Sequence, residues 1–247
     1  MSDARAPGAT APDFRSTPHT VRSYGEELNQ LTAEVTRLGG MAESQVADAV
    51  ESVARRDVAL AQAVIERDVR MDDLQKEIER RAIRLIALRQ PVAADLRRAV
   101  ASLKFSLSLE RTGDMAKGIA KRALVVADEE PITPLTRSIE RMGKLVLSRL
   151  KDVLDAYTSG NLDQAMSVWS RDDEVDEHYD SLFRELLTYM MGDPRTITGC
   201  AHLLFMAKNL ERIGDHATNL AEIVFYEITG EDMPGERPRR AADPTRA

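Results

Sequence analysis

The feature of this sequence with the clearest chemical potential is a set of carboxylates spaced four residues apart. Glu110 and Asp114 form one such pair, and Glu211 and Asp215 form another. Residues four apart lie on the same face of a helix, so each pair would present two carboxylates side by side. Taken alone, such a pair is weak support for a site, because 41 acidic residues among 247 produce several by chance. A solvated face is the ordinary explanation for a single pair.

Two earlier pairs change this interpretation because of their distance from a turn. If Pro91 marks the apex of a helical hairpin, Asp72 precedes it by the same sequence distance at which Glu110 follows it. Asp68 and Asp114 are likewise equally far from Pro91, one turn further out on each side. Equal distances from the turn of an antiparallel hairpin mean equal heights along the two helices. The sequence therefore predicts that two acidic pairs face each other in the first half of the chain.

The second half repeats this arrangement around Pro194. Asp176 and Glu211 lie on either side of this proline at distances that differ by a single position, and so do Asp172 and Asp215. Four carboxylates across a helix gap of about 8–10 Å repel one another, and a cation would offset the repulsion. All-oxygen ligands suit Mg²⁺, Ca²⁺ or Mn²⁺ and can also hold iron. We therefore expect one metal site in each half, the first formed by Asp68, Asp72, Glu110 and Asp114, the second by Asp172, Asp176, Glu211 and Asp215.

A histidine and two arginines lie next to the predicted metal ligands in the sequence. His216 follows Asp215 directly, but Met115 stands at the matching place in the first half, which excludes a histidine ligand common to both sites. Arg111 and Arg212 are expected to orient the carboxylates beside them, with direct anion binding as the alternative.

The elements that must position these acids are helices, and they come in two matching sets. Ala, Leu, Arg, Glu and Asp dominate the chain, and aromatic residues make up only 4% of it. Helical periodicity is broken at Asp57, at Gln90-Pro91, at Thr133-Pro134, at Gly160-Asn161 and at Gly192-Asp193-Pro194, which gives about six helices.

The third and sixth helices carry nearly the same text. SLERTGDMAKGIAKRA begins at Ser108 and NLERIGDHATNLAEIV begins at Asn209, so matched residues are 101 apart. An apolar seam recurs with the text, at Phe105, Leu109, Thr112, Ala116, Ile119 and Ala123, then at Met206, Leu210, Ile213, Ala217, Leu220 and Val224. These features predict an all-α fold with two pseudo-symmetric three-helix bundles in tandem. We expect disordered tails at 1–20 and 231–247 and bundles at 21–130 and 131–230.

Charge and composition exclude several classes of function. The net charge is −7 and the basic residues form no stripe, so nucleic acid is a poor candidate partner. No run of about 18 apolar residues occurs and no signal peptide is apparent, so any membrane connection should come through partners. Cys200 is the only cysteine, which fits a reducing cytosol, and we expect a cytoplasmic location.

The repeated text resembles the signature of a known family. LERTGD and LERIGDHATNLAE are similar to the motif that the PhoU family carries once in each of its two three-helix bundles. The segment Arg89–Arg97, which reads RQPVAADLR, looks like that family's turn into its third helix. The resemblance covers about 20–230.

This resemblance implies a dimeric six-helix protein that is not an enzyme and holds metal clusters at the eight acidic positions named above. The metal would be iron, zinc, manganese or magnesium. It also implies a role as negative regulator of the phosphate regulon and modulator of phosphate uptake. The implied partners are the transporter ATPase PstB and the sensor histidine kinase PhoR.

Two other interpretations remain open at this point. A di-iron carboxylate enzyme is also a helical bundle with facing acids, but its Glu-x-x-His motif is absent from this chain. A structural adaptor without metal is the other alternative, and metal analysis would separate it from the metal-binding hypothesis.

Overall fold

The computed structural model describes residues 18–129 and 133–235, and these residues are almost entirely helical. The described part contains no strand. A single turn of 3₁₀-helix, Pro194–Thr196, precedes the last helix. The seven α-helices are α1 Pro18–Arg55, α2 Val58–Arg89, α3 Ala93–Val126, α4 Thr133–Ser159, α5 Leu162–Ser170, α6 Asp173–Gly192 and α7 Ile197–Thr229.

The helix boundaries form where the sequence signals place them. Asp57 is the N-cap of α2 and its carboxylate accepts a hydrogen bond from the Leu60 backbone N–H over 2.9 Å. Gly160 adopts the left-handed conformation, with φ of 64°, and Asn161 then caps α5. Asp193 accepts a hydrogen bond from the Arg195 backbone N–H at the turn before α7. Side-chain caps therefore mark the starts of α2, α5 and the 3₁₀-helix, whereas α3 follows Val92 and α7 follows Thr196 without a side-chain cap.

One break differs from the expectation of about six helices. The second helix of the second half is divided into α5 and α6 by a turn at Arg171 and Asp172. The sequence has no glycine or proline there. Asp172 is buried at this turn and accepts a hydrogen bond from Thr218 of α7, so a tertiary contact accompanies the break. Three acidic residues then occupy the first turn of α6, where the helix dipole favours negative charge.

The helices form two bundles that share one core. Helices α1, α2 and α3 pack together, as do α4, α5, α6 and α7. The bundles meet where α1 lies against α4 and α3 lies against α7. Every residue of the two predicted apolar seams is buried, which confirms the packing face of α3 and α7. The fold prediction of two pseudo-symmetric helical bundles is thus confirmed.

Much of the predicted tails lies outside the described residues. The described chain begins in helix at Pro18, and its last described residues, 231–235, follow the end of α7. None of the described helices has both the length and the hydropathy that crossing a bilayer requires.

Candidate functional site

The first acidic group lies where α2 and α3 face each other. Asp68 and Asp72 lie on α2, and Glu110 and Asp114 lie on α3. Burial raises the pKa of Asp72, and the charges of Asp68 and Asp114 raise it further. Burial likewise raises the pKa of Glu110, followed by the charges of Asp114 and Asp72. The four carboxylates predicted from the hairpin register therefore do repel one another.

A lysine neutralises part of this group. Asp68 is only 1% exposed, and Lys117 of α3 donates a hydrogen bond to its carboxylate. The Lys117 ammonium also lies 3.5 Å from Asp114 Oδ1. The hydrogen bond to Asp68 is the main cause that raises the pKa of Lys117, so the ammonium is stabilised in its charged form. Sequence reasoning missed Lys117, although its position three residues after Asp114 was a visible signal.

The second acidic group is built in the same way by α6, the turn before it, and α7. Asp172 lies in the turn and Asp176 in α6, facing Glu211 and Asp215 of α7. Burial is the largest cause that raises the pKa of Asp176 to about 6, followed by the charges of Glu211, Asp172 and Asp215. Lys208 opposes this shift. The mutual repulsion predicted for the second half is therefore present as well.

The two groups differ in where their positive charge comes from. With matched residues of α3 and α7 101 apart, Lys117 corresponds to Thr218 and Lys208 corresponds to Leu107. Thr218 donates a hydrogen bond to Asp172 over 2.6 Å, and Lys208 lies 2.6 Å from Glu211 Oε1. The last helix of each half therefore has one lysine paired with an acid of the group, but the two lysines approach the acids from opposite ends. In the first half Lys76 of α2 also lowers the pKa of Asp72.

The donor atoms of these residues suit the predicted metal, but the spacing of their side chains does not yet form a binding site. Their donors are all carboxylate oxygens, which hard cations prefer. A cation would relieve the repulsion that, after burial, raises the pKa values of Asp72, Glu110 and Asp176. Within the two described ranges, however, no three His, Cys, Asp or Glu side chains are gathered closely enough to hold an ion. In the first half, a metal would compete with Lys117 for the Asp68 carboxylate. The metal sites remain a prediction.

The neighbouring histidine and arginines have other surroundings. His216 Nδ1 lies 2.9 Å from the hydroxyl of Ser108, so this contact joins α7 to α3. Arg111 and Arg212 are both exposed. Arg111 lowers the pKa of Glu110 in opposition to the nearby acids, as expected for an arginine that stabilises a neighbouring carboxylate.

Comparison with known proteins identifies the family. The PhoU domain model matches twice, at 35–123 and 139–224, so one copy falls in each bundle. A phosphate-specific transport system accessory protein PhoU homolog of Caulobacter vibrioides is 70% identical over 223 residues, which are 90% of this chain and 97% of that protein. A homolog of Rhizobium meliloti with the same name is 49% identical over 224 residues, covering 91% and 94% of the two chains.

Solved structures agree with these matches. The crystal structure of PhoU from Pseudomonas aeruginosa superposes with a TM-score of 0.82 at 36% identity, covering 84% of this chain and all of that one. The phosphate transport system regulatory protein PhoU from Streptococcus pneumoniae gives a TM-score of 0.79 at 30% identity, covering 85% and 99% of the two chains. Members of this family are accessory and regulatory proteins, so the chain is not an enzyme and the di-iron enzyme alternative was wrong. The chain belongs to the PhoU domain family.

Proposed function

We propose that the chain is a negative regulator of phosphate uptake and of phosphate-responsive gene expression. It acts in the cytoplasm by binding the transporter ATPase PstB and the sensor histidine kinase PhoR when phosphate is plentiful. The observation that carries this proposal is the 70% identity to an accessory protein of phosphate-specific transport, over 97% of that protein's length. Because the match includes both bundles, the proposal rests on the whole helical body and not on one bundle alone.

The surface at the hairpin tips supports a binding role. The three most exposed large apolar side chains of the described residues all lie there: Leu88 (67%) in the last turn of α2, Val92 (76%) between α2 and α3, and Met191 (86%) at the end of α6. Gln90 and Ala93 in the first tip have positive φ angles of 47° and 49°, which residues other than glycine rarely adopt. Exposed apolar groups on a constrained backbone are typical of contact sites. We assign the tips to the contacts with PstB and PhoR.

The acidic groups have a structural role in this proposal. Each group spans the two helices of one hairpin. A cation bound there would hold these two helices together and so stabilise the hairpin whose tip contacts the partner. The chain's own carboxylates would supply the ligands, and Lys117 and Lys208 provide the counter-charge otherwise.

Regulation in cells is tested by deletion and by pull-down. Deleting the gene should leave phosphate-starvation genes expressed in rich phosphate, and unchanged reporter activity would remove the regulatory assignment. The tagged protein should capture PstB and PhoR from cells grown in high phosphate and less of both from starved cells. Co-sedimentation with membranes that lack both partners would contradict the proposed route to the membrane.

Substitutions at the hairpin tips test whether the tips contact PstB and PhoR. Val92→Asp and Met191→Asp place a charge on side chains that already face solvent, so both variants should fold. Each should weaken the capture of at least one partner by about tenfold, because a buried charge opposes an apolar contact. Val69→Asp is the matched control, since Val69 is 60% exposed on the side of α2 and away from the tips. Equal loss in all three variants would contradict the assignment.

A further inference from the structure

A cavity between α1 and α2 of the first bundle combines several positive groups with a buried polar atom. Its volume is about 500 Å³, which is in the range of small-molecule sites. Arg37 from α1 and Arg67 and Arg70 from α2 line it, together with Ser44 and Gln45. None of these residues belongs to the acidic groups.

Two of the three arginines have no ion-pair partner among the residues that the structure describes. Arg67 forms an ion pair with Asp48 of α1. Arg37 and Arg70 are exposed, and no residue within 18–129 or 133–235 forms an ion pair or hydrogen bond with either guanidinium. The cavity therefore presents a net positive charge of two from its lining residues and their one acidic partner.

Gln45 has an unused acceptor in the wall of the same cavity. Its side chain is 2% exposed, and its Nε2 donates a hydrogen bond to the Val64 carbonyl over 2.9 Å. Its Oε1 is buried and accepts no hydrogen bond from the described part of the chain. A buried polar atom without a partner destabilises the protein, and a ligand that donates a hydrogen bond would remove this cost.

The second bundle has an ion pair at the positions that correspond to Gln45 and Arg70. The two family matches begin 104 positions apart, at 35 and 139, and Asp68 and Asp72 of α2 recur 104 positions later as Asp172 and Asp176, so we match residues of α1 and α2 with residues 104 positions later. Gln45 then corresponds to Arg149, and Arg70 corresponds to Glu174. Arg149 is 2% exposed and its Nη2 lies 3.4 Å from Glu174 Oε2. The internal ion pair of the second bundle is thus replaced in the first by a neutral amide and an arginine that has no ion pair within the described ranges.

We propose that the cavity of the first bundle binds a phosphate-bearing anion, either inorganic hydrogen phosphate or a phosphate monoester. Guanidinium groups match phosphate oxygens in a bidentate geometry, which accounts for Arg37 and Arg70. Hydrogen phosphate also keeps a P–OH group that can donate to Gln45 Oε1 once the amide turns toward the cavity, whereas a monoester, mostly a dianion near neutral pH, would donate from its organic part. Sulfate and carboxylate have no such donor near neutral pH. Met41 and Met71 of the lining offer apolar surface to the organic part of a monoester.

The cavity also adjoins the first acidic group. Met71 packs against Gly113 of α3, where an added Cβ would lie 2.9 Å from the Met71 sulfur and 3.6 Å from Asp68 Oδ1. A ligand that moves the Met71 side chain would therefore act on the helix pair that carries the acids. This ligand site goes beyond the proposed regulatory role, because binding in the purified protein does not depend on PstB or PhoR.

Isothermal titration of the purified full-length protein tests the site, with inorganic phosphate, adenosine monophosphate and sulfate at constant ionic strength. We expect saturable binding of phosphate or of the monophosphate, at least about tenfold tighter than sulfate. The phosphate ligand that binds with the higher affinity shows whether the site takes inorganic phosphate or a phosphate monoester. Comparable sulfate binding would overturn the assignment to phosphate, and absence of saturable binding by both phosphate ligands would overturn the site.

Variants distinguish the cavity from general attraction to arginines. Arg37→Gln and Arg70→Gln should each weaken binding about tenfold or more, since each removes a charge-assisted contact. Gly40→Leu should block the cavity without removing a charge, because a Cβ at Gly40 meets nothing within 4 Å. Arg141→Gln is the matched control, since Arg141 is the counterpart of Arg37 in the second bundle. Binding by the three cavity variants at the control level would overturn the proposal. Failure of the deletion phenotype would leave this result unaffected.

Discussion

Thr218 donates a hydrogen bond to Asp172 over 2.6 Å at the place where the first bundle uses Lys117 to bind Asp68. A hydroxyl satisfies a carboxylate oxygen without cancelling its charge, whereas an ammonium cancels it. The two bundles therefore share an acidic framework but balance its charge differently. This difference leads to separate expectations for the two halves.

Neutralising the first acidic group should remove its metal and leave the second group occupied. In Asp72→Asn with Glu110→Gln, we expect about half the metal content of the unmodified protein, because each group is built within one hairpin. Added metal should raise the melting temperature of this variant by roughly half as much, since stabilisation grows with occupied sites. In chelator the variant should be no less stable, because two repelling charges are gone.

Metal analysis of protein purified without chelator, together with thermal unfolding, measures both effects. Asp176→Asn with Glu211→Gln is the matched control for the second group. Equal metal content in all three proteins would contradict the site assignment and favour a solvated acidic face. Metal absent from the unmodified protein would favour the metal-free adaptor.

Replacing Lys117 should make the first group resemble the second. Lys117→Thr copies the residue of the second bundle and leaves the charge of Asp68 uncancelled, so metal affinity in the first half should rise about tenfold. The measurement is metal titration in the Asp176→Asn, Glu211→Gln background, which isolates the first group. Lys121→Thr, an exposed lysine one turn further along α3, is the control and should leave affinity unchanged. Equal affinity in both lysine variants would show that Lys117 does not compete with the metal.

Glu227 of α7 should make stability depend on pH near neutrality. Burial is the main cause that raises the pKa of Glu227 from 4.5 to about 7, and Arg98 of α3 opposes the shift. The folded state therefore holds the proton more tightly than the unfolded state does. The resulting stabilisation is fully present below pH 4.5 and is lost as pH rises through about 7.

Glu227→Gln should consequently be more stable than the unmodified protein at pH 8, by about 1–3 kcal/mol, and equally stable at pH 4.5. Urea unfolding at the two pH values gives the difference. The exposed Glu231→Gln is the control and should show no such dependence. A gain of the same size at both pH values would contradict the assigned titration.

Gly143 should be needed for the contact between the bundles. A Cβ at this position would lie 2.6 Å from Val50 Cγ2 and 2.7 Å from Val50 Cγ1, and valine in a helix has little freedom to move aside. Gly143→Ala should therefore destabilise the protein by about 1–2 kcal/mol, despite the better helix propensity of alanine. Gly199→Ala, where a Cβ meets nothing within 4 Å, should instead be stabilising. Chemical unfolding measures both variants, and a stable Gly143→Ala would show that α1 and α4 can separate.

Homodimerisation is the last expectation, and it rests on the family resemblance and on helices long enough to present faces beyond their own bundle. Light scattering should give twice the chain mass of 27.5 kDa. The protein should be dimeric at about tens of micromolar, above the dissociation constants typical of specific dimers. A monomer at that concentration would contradict it.

The sequence by itself determined the helices, their caps, the duplication and the facing of the acids. The period of 3.6 residues fixes which side chains share a helix face, and capping residues fix where helices end. Equal distances from Pro91 were enough to bring Asp72 and Glu110 to the same height, because two antiparallel helices leave a common turn. These are local rules that operate within one helix or one hairpin.

Only the tertiary structure decided which partners these side chains have across helices. The turn between α5 and α6 has no glycine or proline signal, and it occurs where Asp172 is buried against Thr218. Lys117 reaches Asp68 across 49 positions of sequence, and Gln45 lines a cavity of the first bundle where the second bundle has Arg149 and its ion pair with Glu174. Such contacts depend on helix separation and on the volumes of all neighbouring side chains, which no spacing within a single helix encodes.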